Sequence, residues 1–303
     1  MKVHPLGSGF AAEITDLPLT HDSIRGRGRD LHRTYLEQKV IVLRDQHIDT
    51  ETFASFGTIF GCPEIHHVRA MRHPDIPMLT MLSNQSEPGR NDVMRYFGDG
   101  WHADSSYKSV TAAATMLWGV EVPDEGGDTL FADAAAAYRD LPEHEKALLR
   151  RLRLRHQYRW SPNREDPWAR WKFVGEAERR DTPEVIHPLV KRHPETGVES
   201  LHIAPRIIGS VIGIEGMPQE DSDRLIDSLM AHITQPAYVY RHRWMPHDIV
   251  VWDNRSLLHS ATTKTLPPGK VRRLLRITTT GTSLVGVTPE GGVTAIVPGT
   301  EFA

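Results

Sequence analysis

The feature that most constrains the fold is a series of short, apolar, β-branched runs that never alternate regularly with helices. Residues 39–44 (KVIVLR), 111–119 (TAAATMLWG), 248–253 (DIVVWD) and 271–281 each have the length and side chains of a buried strand. Shorter runs at 78–82, 129–131 and 238–244 have the same character. A strand–helix–strand rhythm would predict a parallel, doubly wound sheet. Its absence predicts a mainly-β chain with peripheral helices (α+β) on a double-stranded β-helix, or jelly-roll, core. Such a barrel encloses a cavity on which inward-facing side chains converge.

The rest of the chain fits around that core. Residues 6–19 read as short strands broken by Gly7, Gly9 and Pro18, and 21–37 have helical spacing, with Ile24, Leu31 and Tyr35 on one side. Asp49 or Thr50 caps a helix through Phe53, Phe56 and Ile59 that stops at Gly61. Residues 63–77 are irregular. Residues 83–95 are polar and rich in Gly, Asn and Pro, a mobile loop. A turn at 123–128 precedes the strand at 129–131. A helix begins at 141–145, with Leu148, Leu149 and Leu152 on its apolar face. Residues 186–190 and 200–203 read as paired strands around the turn at 194–197, and 218–233 as a helix. The segment 158–182 sets Trp160, Trp168, Trp171 and Phe173 among many charges. It reads either as an insertion or lid, or as a helical hairpin whose aromatics pack on the barrel. The tail after Leu284 reads as an arm or as poorly ordered. The whole of 1–303 is expected to form one domain.

Composition excludes several classes of function. The 303 residues carry a net charge of −3 and no basic block, so no nucleic-acid footprint is expected. The single cysteine, Cys62, excludes an intrachain disulfide framework and a Cys-rich zinc site, and is compatible with a cytoplasmic setting. Residues 1–10 hold no long apolar run after a basic start and no run of about 18 apolar residues occurs, so neither a secretory signal nor a membrane partner is expected.

The chemistry centres on Gly100-Trp101-His102-Ala103-Asp104. On an extended strand, residues i and i+2 share a face, so His102 and Asp104 can address one cation. His259, just after the buried strand at 248–253, supplies a third donor. Two imidazoles and one carboxylate form a facial set that leaves open positions on a non-haem Fe(II). On the last strand Arg272 and Arg276 share a face and Arg273 opposes them. Two arginines inside a barrel need anions, and a carboxylate is the natural bidentate partner. Each element alone has an ordinary reading: a surface histidine with a turn aspartate, a core histidine, a solvated strand face. Their combination in this order is far more specific.

Together with Ala12-Glu13-Ile14, residues 40–44, Gly126-Gly127-Asp128-Thr129-Leu130, His187-Pro188-Leu189-Val190, His193-Pro194-Glu195-Thr196-Gly197 and Trp252-Asp253-Asn254-Arg255, these motifs run over nearly the whole length. The chain resembles the taurine and phenoxyacetate dioxygenase (TauD/TfdA) family of Fe(II)/2-oxoglutarate-dependent oxygenases. The resemblance implies that His102, Asp104 and His259 ligate Fe(II). It implies that Thr129 and Arg272 hold the distal carboxylate of 2-oxoglutarate, with Arg276 near its metal-bound end. O2 is the other co-substrate, and succinate and CO2 are released as a small, anionic substrate is oxidised at a C–H bond. His66, Arg69, Gly98 and Arg276 fall at positions implied to face that substrate. Arg69 stands where the taurine enzyme's pattern has an aromatic, and Gly98 where a polar side chain is usual, which argues against taurine itself. Relatives commonly self-associate, which implies a homo-oligomer, a dimer or tetramer.

Two alternatives use the same residues. A zinc-dependent hydrolase accepts the three donors and activates water at an open site, but leaves Thr129, Arg272 and Arg276 without a role. A non-catalytic jelly-roll binding module makes the histidines core residues.

Overall fold

The computed structural model describes residues 1–66, 71–85, 98–157, 183–204 and 211–295. In chain order its strands are β1 (Lys2–Pro5), β2 (Ala11–Thr15), β3 (Val40–Leu43), β4 (Cys62–Pro63), β5 (Thr80–Ser83), β6 (Val110–Glu121), β7 (Thr129–Asp133), β8 (Arg153–His156) and β9 (Val185–Pro188). There follow β10 (Val190–Arg192), β11 (Glu199–Leu201), β12 (Val211–Ile214), β13 (Val239–His242), β14 (Ile249–Asp253), β15 (Leu257–Ala261), β16 (Arg273–Ser283), β17 (Val285–Val287) and β18 (Val293–Ala295). The helices are α1 (His21–Gln38), α2 (Thr50–Gly57), α3 (Ala134–Arg139), α4 (Glu143–Leu149) and α5 (Gln219–Ile233).

The large sheet runs β1-β2-β3-β14-β6-β16-β4, with β5 added on β16. It is antiparallel except where β2 lies parallel to β3. The smaller sheets are β13-β7-β15, β12-β8-β9 and β11-β10-β17-β18. This is the jelly-roll core, with helices outside it.

Strand periodicity decides which side chains enter the barrel. Val40 and Val42 of β3, Leu117 of β6, Val250 and Trp252 of β14 and Leu274 of β16 point inward, where they meet Phe131 of β7 and Leu257 of β15. The residues one step out of phase face the other way. Ile41, Leu43, Met116, Trp118, Val251 and Ile277 pack beneath Leu31 and Tyr35 of α1 and Phe53 and Phe56 of α2. Strands covered on both faces read as continuous apolar runs, which is why they are visible in the sequence. α1 starts at a capping box between Thr20 and Ser23. The Asp49 side chain caps α2 by accepting from the Thr52 amide at 2.8 Å, and α2 gives way to a short 3-10 turn before Gly61.

The structure departs from the sequence expectations in local ways. A helix, α3, precedes α4; its Ala-rich run gives no amphipathic signal, and the Asp133 side chain starts it by accepting from the Ala135 and Ala136 amides. The chain bends at Leu189, so β9 pairs with β8 while only β10 pairs with β11. The tail is no loose arm as far as Ala295: β17 pairs with β10, and β18 with β17. The lid or hairpin expected at 158–182 and most of the loop expected at 83–95 lie outside the described residues. Among the described residues no helix is long and apolar enough to cross a membrane.

Candidate metal centre

Two chain segments fix the centre. The stretch before Asp104 runs alongside β15, and His102 and His259 exchange backbone hydrogen bonds of 2.9 and 2.8 Å. The Gly98 carbonyl accepts from the Ala261 amide at 2.8 Å, and the Gly100 amide donates to Ser260 Oγ at 2.8 Å. Residues directly opposite on paired strands present side chains close together, and the two imidazole centroids are 4.2 Å apart. Asp104, two residues on, is buried beneath them.

The donor atoms of His102, Asp104 and His259 all lie within 4.8 Å of one another. His102 Nε2 is 3.9 Å from Asp104 Oδ1, and His259 Nε2 is 3.8 Å from Asp104 Oδ2. Bonds of about 2.0–2.2 Å put two donors of one ion about 3 Å apart when adjacent and up to about 4.4 Å apart when opposite, so both histidine–aspartate distances lie within reach of a single ion. His102 Nδ1 sits 2.7 Å from the Gly100 carbonyl, which can only accept, so Nδ1 carries the hydrogen and Nε2 offers its lone pair.

The carboxylate is held from behind. Thr115 Oγ1 donates to Asp104 Oδ2 at 2.6 Å, and Asn254 Nδ2 donates to Thr115 Oγ1 at 2.9 Å. Asn254 Oδ1 accepts from the Asp104 amide at 3.2 Å and from Trp252 Nε1 at 3.1 Å. Arg276 Nη1 lies 3.6 Å from Asp104 Oδ1. Burial by itself would raise the Asp104 pKa, but Arg276, His259, His102 and the Thr115 hydroxyl together hold the carboxyl well below its usual range. Burial pushes the His259 imidazole well down, with His102 and Arg276 acting the same way and Asp104 opposing them. An anionic carboxylate and a neutral imidazole are the forms that bind metal.

A second cluster lies along the same inner face. Arg272 precedes β16 in phase with Leu274 and Arg276 and is buried, whereas Arg273 is exposed. Its Nε donates to the Gly127 carbonyl at 2.8 Å and its Nη2 to Thr129 Oγ1 at 3.4 Å. Among the described residues no carboxylate pairs with it. Burial lowers its pKa to about 10, with Asp99 and Asp128 pulling the other way, so it remains charged at neutral pH. Thr129 pairs with Ala261, two residues from the Phe131–His259 rung, which sets it about 7 Å along the sheet from His259.

The expected substrate-facing residues are less tightly assembled. His66 is partly exposed, and its carbonyl accepts from Arg72 Nε at 2.5 Å. Gly98 takes φ +89°, a left-handed conformation suited to glycine, and its carbonyl is already used by Ala261. Arg69 lies outside the described residues. Thr115, Asn254 and Asp99 support the centre without any sequence signal of that role. Asp99 is buried and accepts from the amide and hydroxyl of Thr263 and the amide of Lys264, tying down the loop after β15.

The family model described as taurine catabolism dioxygenase TauD, TfdA family matches residues 2–278. The chain belongs to the TauD/TfdA family. This TauD/TfdA protein is 35% identical over 266 residues to the (S)-phenoxypropionate/alpha-ketoglutarate-dioxygenase of Sphingobium herbicidovorans, covering 86% of this chain and 88% of that one. It is 31% identical over 273 residues to the alpha-ketoglutarate-dependent 2,4-dichlorophenoxyacetate dioxygenase of a Burkholderia species, covering 85% and 86%. The crystal structure of AAD-2 in complex with Mn(II) and N-oxalylglycine superposes with a TM-score of 0.76 at 26% identity, covering 93% of this chain and 99% of that one.

The TauD/TfdA protein is therefore an enzyme, an Fe(II)- and 2-oxoglutarate-dependent dioxygenase that uses O2 to oxidise a C–H bond of a small molecule. The hydrolase and binding-module alternatives fall away. The donor set fits that iron: two imidazole nitrogens and one carboxylate oxygen, a set that leaves open positions for co-substrates.

Proposed function

We propose that His102, Asp104 and His259 hold the iron, that Thr129 and Arg272 hold the distal carboxylate of 2-oxoglutarate, and that the substrate is a small organic anion of the aryloxyalkanoate kind. The observation that carries the reading is the shared inner face. A three-donor cluster and a buried arginine with no carboxylate partner among the described residues stand one rung pair apart. A five-carbon dicarboxylate chelated at its keto end spans that gap.

Bound iron supplies the redox chemistry that couples decarboxylation of 2-oxoglutarate by O2 to hydroxylation of the substrate. Per turnover, substrate C–H, 2-oxoglutarate and O2 give substrate C–OH, succinate and CO2. The protein's own groups bind and orient. Thr115 and Asn254 fix the Asp104 carboxylate, Arg272 and Thr129 set the register of the co-substrate, and Arg276 balances charge beside Asp104. Where the hydroxylated carbon bears an aryloxy group, the product is a hemiacetal that loses the phenol without further catalysis.

An anionic substrate is supported by the position of Arg276, by His66, which follows β4, and by the phenoxyalkanoates named for the relatives. Arg69 and the backbone of Gly98 complete the proposed substrate side. We also propose that 1–303 acts as one catalytic domain, in the cytoplasm and as a homo-oligomer. The match over 2–278 supports the first point, and the exposed, unpaired Cys62 suits a reducing compartment. No nucleic-acid or membrane partner is proposed. Incubation with Fe(II), 2-oxoglutarate, O2 and a panel of phenoxyacetates, 2-phenoxypropionates, alkyl sulfates and sulfonates tests the substrate class. Succinate release stimulated at least tenfold by a phenoxyalkanoate is expected. Stimulation by taurine alone would contradict it.

A further inference from the structure

Trp244 follows β13 and is 6% exposed, with its ring in the barrel core. Its indole Nε1 donates to Thr129 Oγ1 at 3.0 Å, and Arg272 Nη2 donates to the same oxygen at 3.4 Å. A hydroxyl has two lone pairs and one hydrogen. Both lone pairs of Thr129 face donors, and no acceptor among the described residues takes its hydrogen. The hydroxyl is thereby committed to donate to whatever enters the cradle. With Arg272 beside it, the cradle offers only donors, which selects a group that can only accept.

The same indole flanks the guanidinium: Arg272 Cζ lies 5.9 Å from the Trp244 ring. The ring's own position is set on two sides. His242 packs edge-on at 4.6 Å, and a Cβ on Gly119 would come within 3.2 Å of Trp244 Cε3.

We propose that Trp244 is a positioning residue for the co-substrate: its N–H fixes the Thr129 hydroxyl as a donor to the distal carboxylate of 2-oxoglutarate. The proposal rests on the reading of Thr129 and Arg272 as that carboxylate's site. It also makes Trp244 a determinant of which 2-oxo acid is accepted, since the effect reaches only acids with a second carboxylate.

The test is anaerobic titration of Mn(II)-loaded protein with 2-oxoglutarate and with 2-oxobutyrate, which lacks the distal carboxylate. The variants are Trp244→Phe and replacement of Trp244 by benzothienylalanine, which keeps the shape and loses the N–H. Loss of one neutral hydrogen bond is expected to weaken 2-oxoglutarate about fivefold. Affinity for 2-oxobutyrate and for Mn(II) should change by less than about twofold. Thr129→Val should cost less in the Trp244→Phe background than in wild type, because the two act through one contact. Unchanged 2-oxoglutarate affinity in both Trp244 variants, or equal loss for both keto acids, overturns the proposal. Arg272→Ala separates the two readings. If it leaves 2-oxoglutarate affinity intact, the carboxylate site itself is wrong; if it weakens binding while the Trp244 variants do not, only the role of Trp244 falls.

Discussion

Thr115 and Asp104 are joined across the barrel wall: the threonine hydroxyl donates to Asp104 Oδ2 at 2.6 Å while accepting from Asn254. The contact orients a buried carboxylate between two imidazoles and an arginine. Partners of this kind, behind the donor atoms, typically account for 10- to 100-fold of metal affinity.

Thr115→Val is therefore expected to weaken Mn(II) binding by about tenfold. It also leaves the Asn254 amide without an acceptor, at a cost to stability of about 1–3 kcal/mol. Thr115→Ser should restore most of both. Metal titration and urea unfolding of the three proteins check this; wild-type metal affinity in the valine variant would show that Asp104 needs no support.

Gly127 has φ +66°, and a Cβ there would lie 3.0 Å from Arg272 Cδ. Its carbonyl also accepts from Arg272 Nε. Gly127→Ala adds backbone strain of about 1–2 kcal/mol and pushes the guanidinium off its seat. The expected result is a KM for 2-oxoglutarate raised several-fold with Mn(II) affinity kept. An unchanged KM would mean that the cradle tolerates the shift.

A third group of residues governs acid stability. His156, His187 and His202 come from three different strand regions and sit with ring centroids 5.2 Å apart beside buried Lys191. Both nitrogens of His156 are buried without a hydrogen-bond partner. Burial pushes His156 and His202 well down and His187 to about 4. The unfolded chain takes up protons below about pH 6.5 while the folded state does not. The histidines' contribution to stability is then full above that pH and falls on acidification toward 4, by about 2 kcal/mol at pH 5 for His187 alone. Urea unfolding at pH 7 and pH 5 measures the slope. His156→Leu should flatten it by about one proton at little cost at pH 7, since no hydrogen bond is lost. An unchanged slope would contradict this.

What was legible in the sequence followed from local spacing. His102 and Asp104 are two apart, although only His102 lies in a β-bridge and Asp104 opens a turn, and the inward phase of Arg272 and Arg276 follows from strand alternation with Leu274. The buried strands were visible because both faces are covered. The supporting contacts were not visible, because they are made across the fold. Trp244 reaches Thr129 and Asn254 reaches Thr115 over more than a hundred residues, with no periodicity to mark them. α3 was hidden by an alanine run, and the His156 cluster by the scatter of its members among 17 histidines. The bend at Leu189 splits what reads as one strand, and only the pairing of β9 with β8 shows it.

The most direct measurement is anaerobic addition of Fe(II) and 2-oxoglutarate to the wild-type protein, with visible absorption as the readout. The charge-transfer band of an iron–keto acid chelate is expected. That band should be lost in His102→Ala, Asp104→Ala and His259→Ala, and should need far more 2-oxoglutarate in Arg272→Ala. No band in folded wild-type protein, or an undiminished band in His259→Ala, would contradict it.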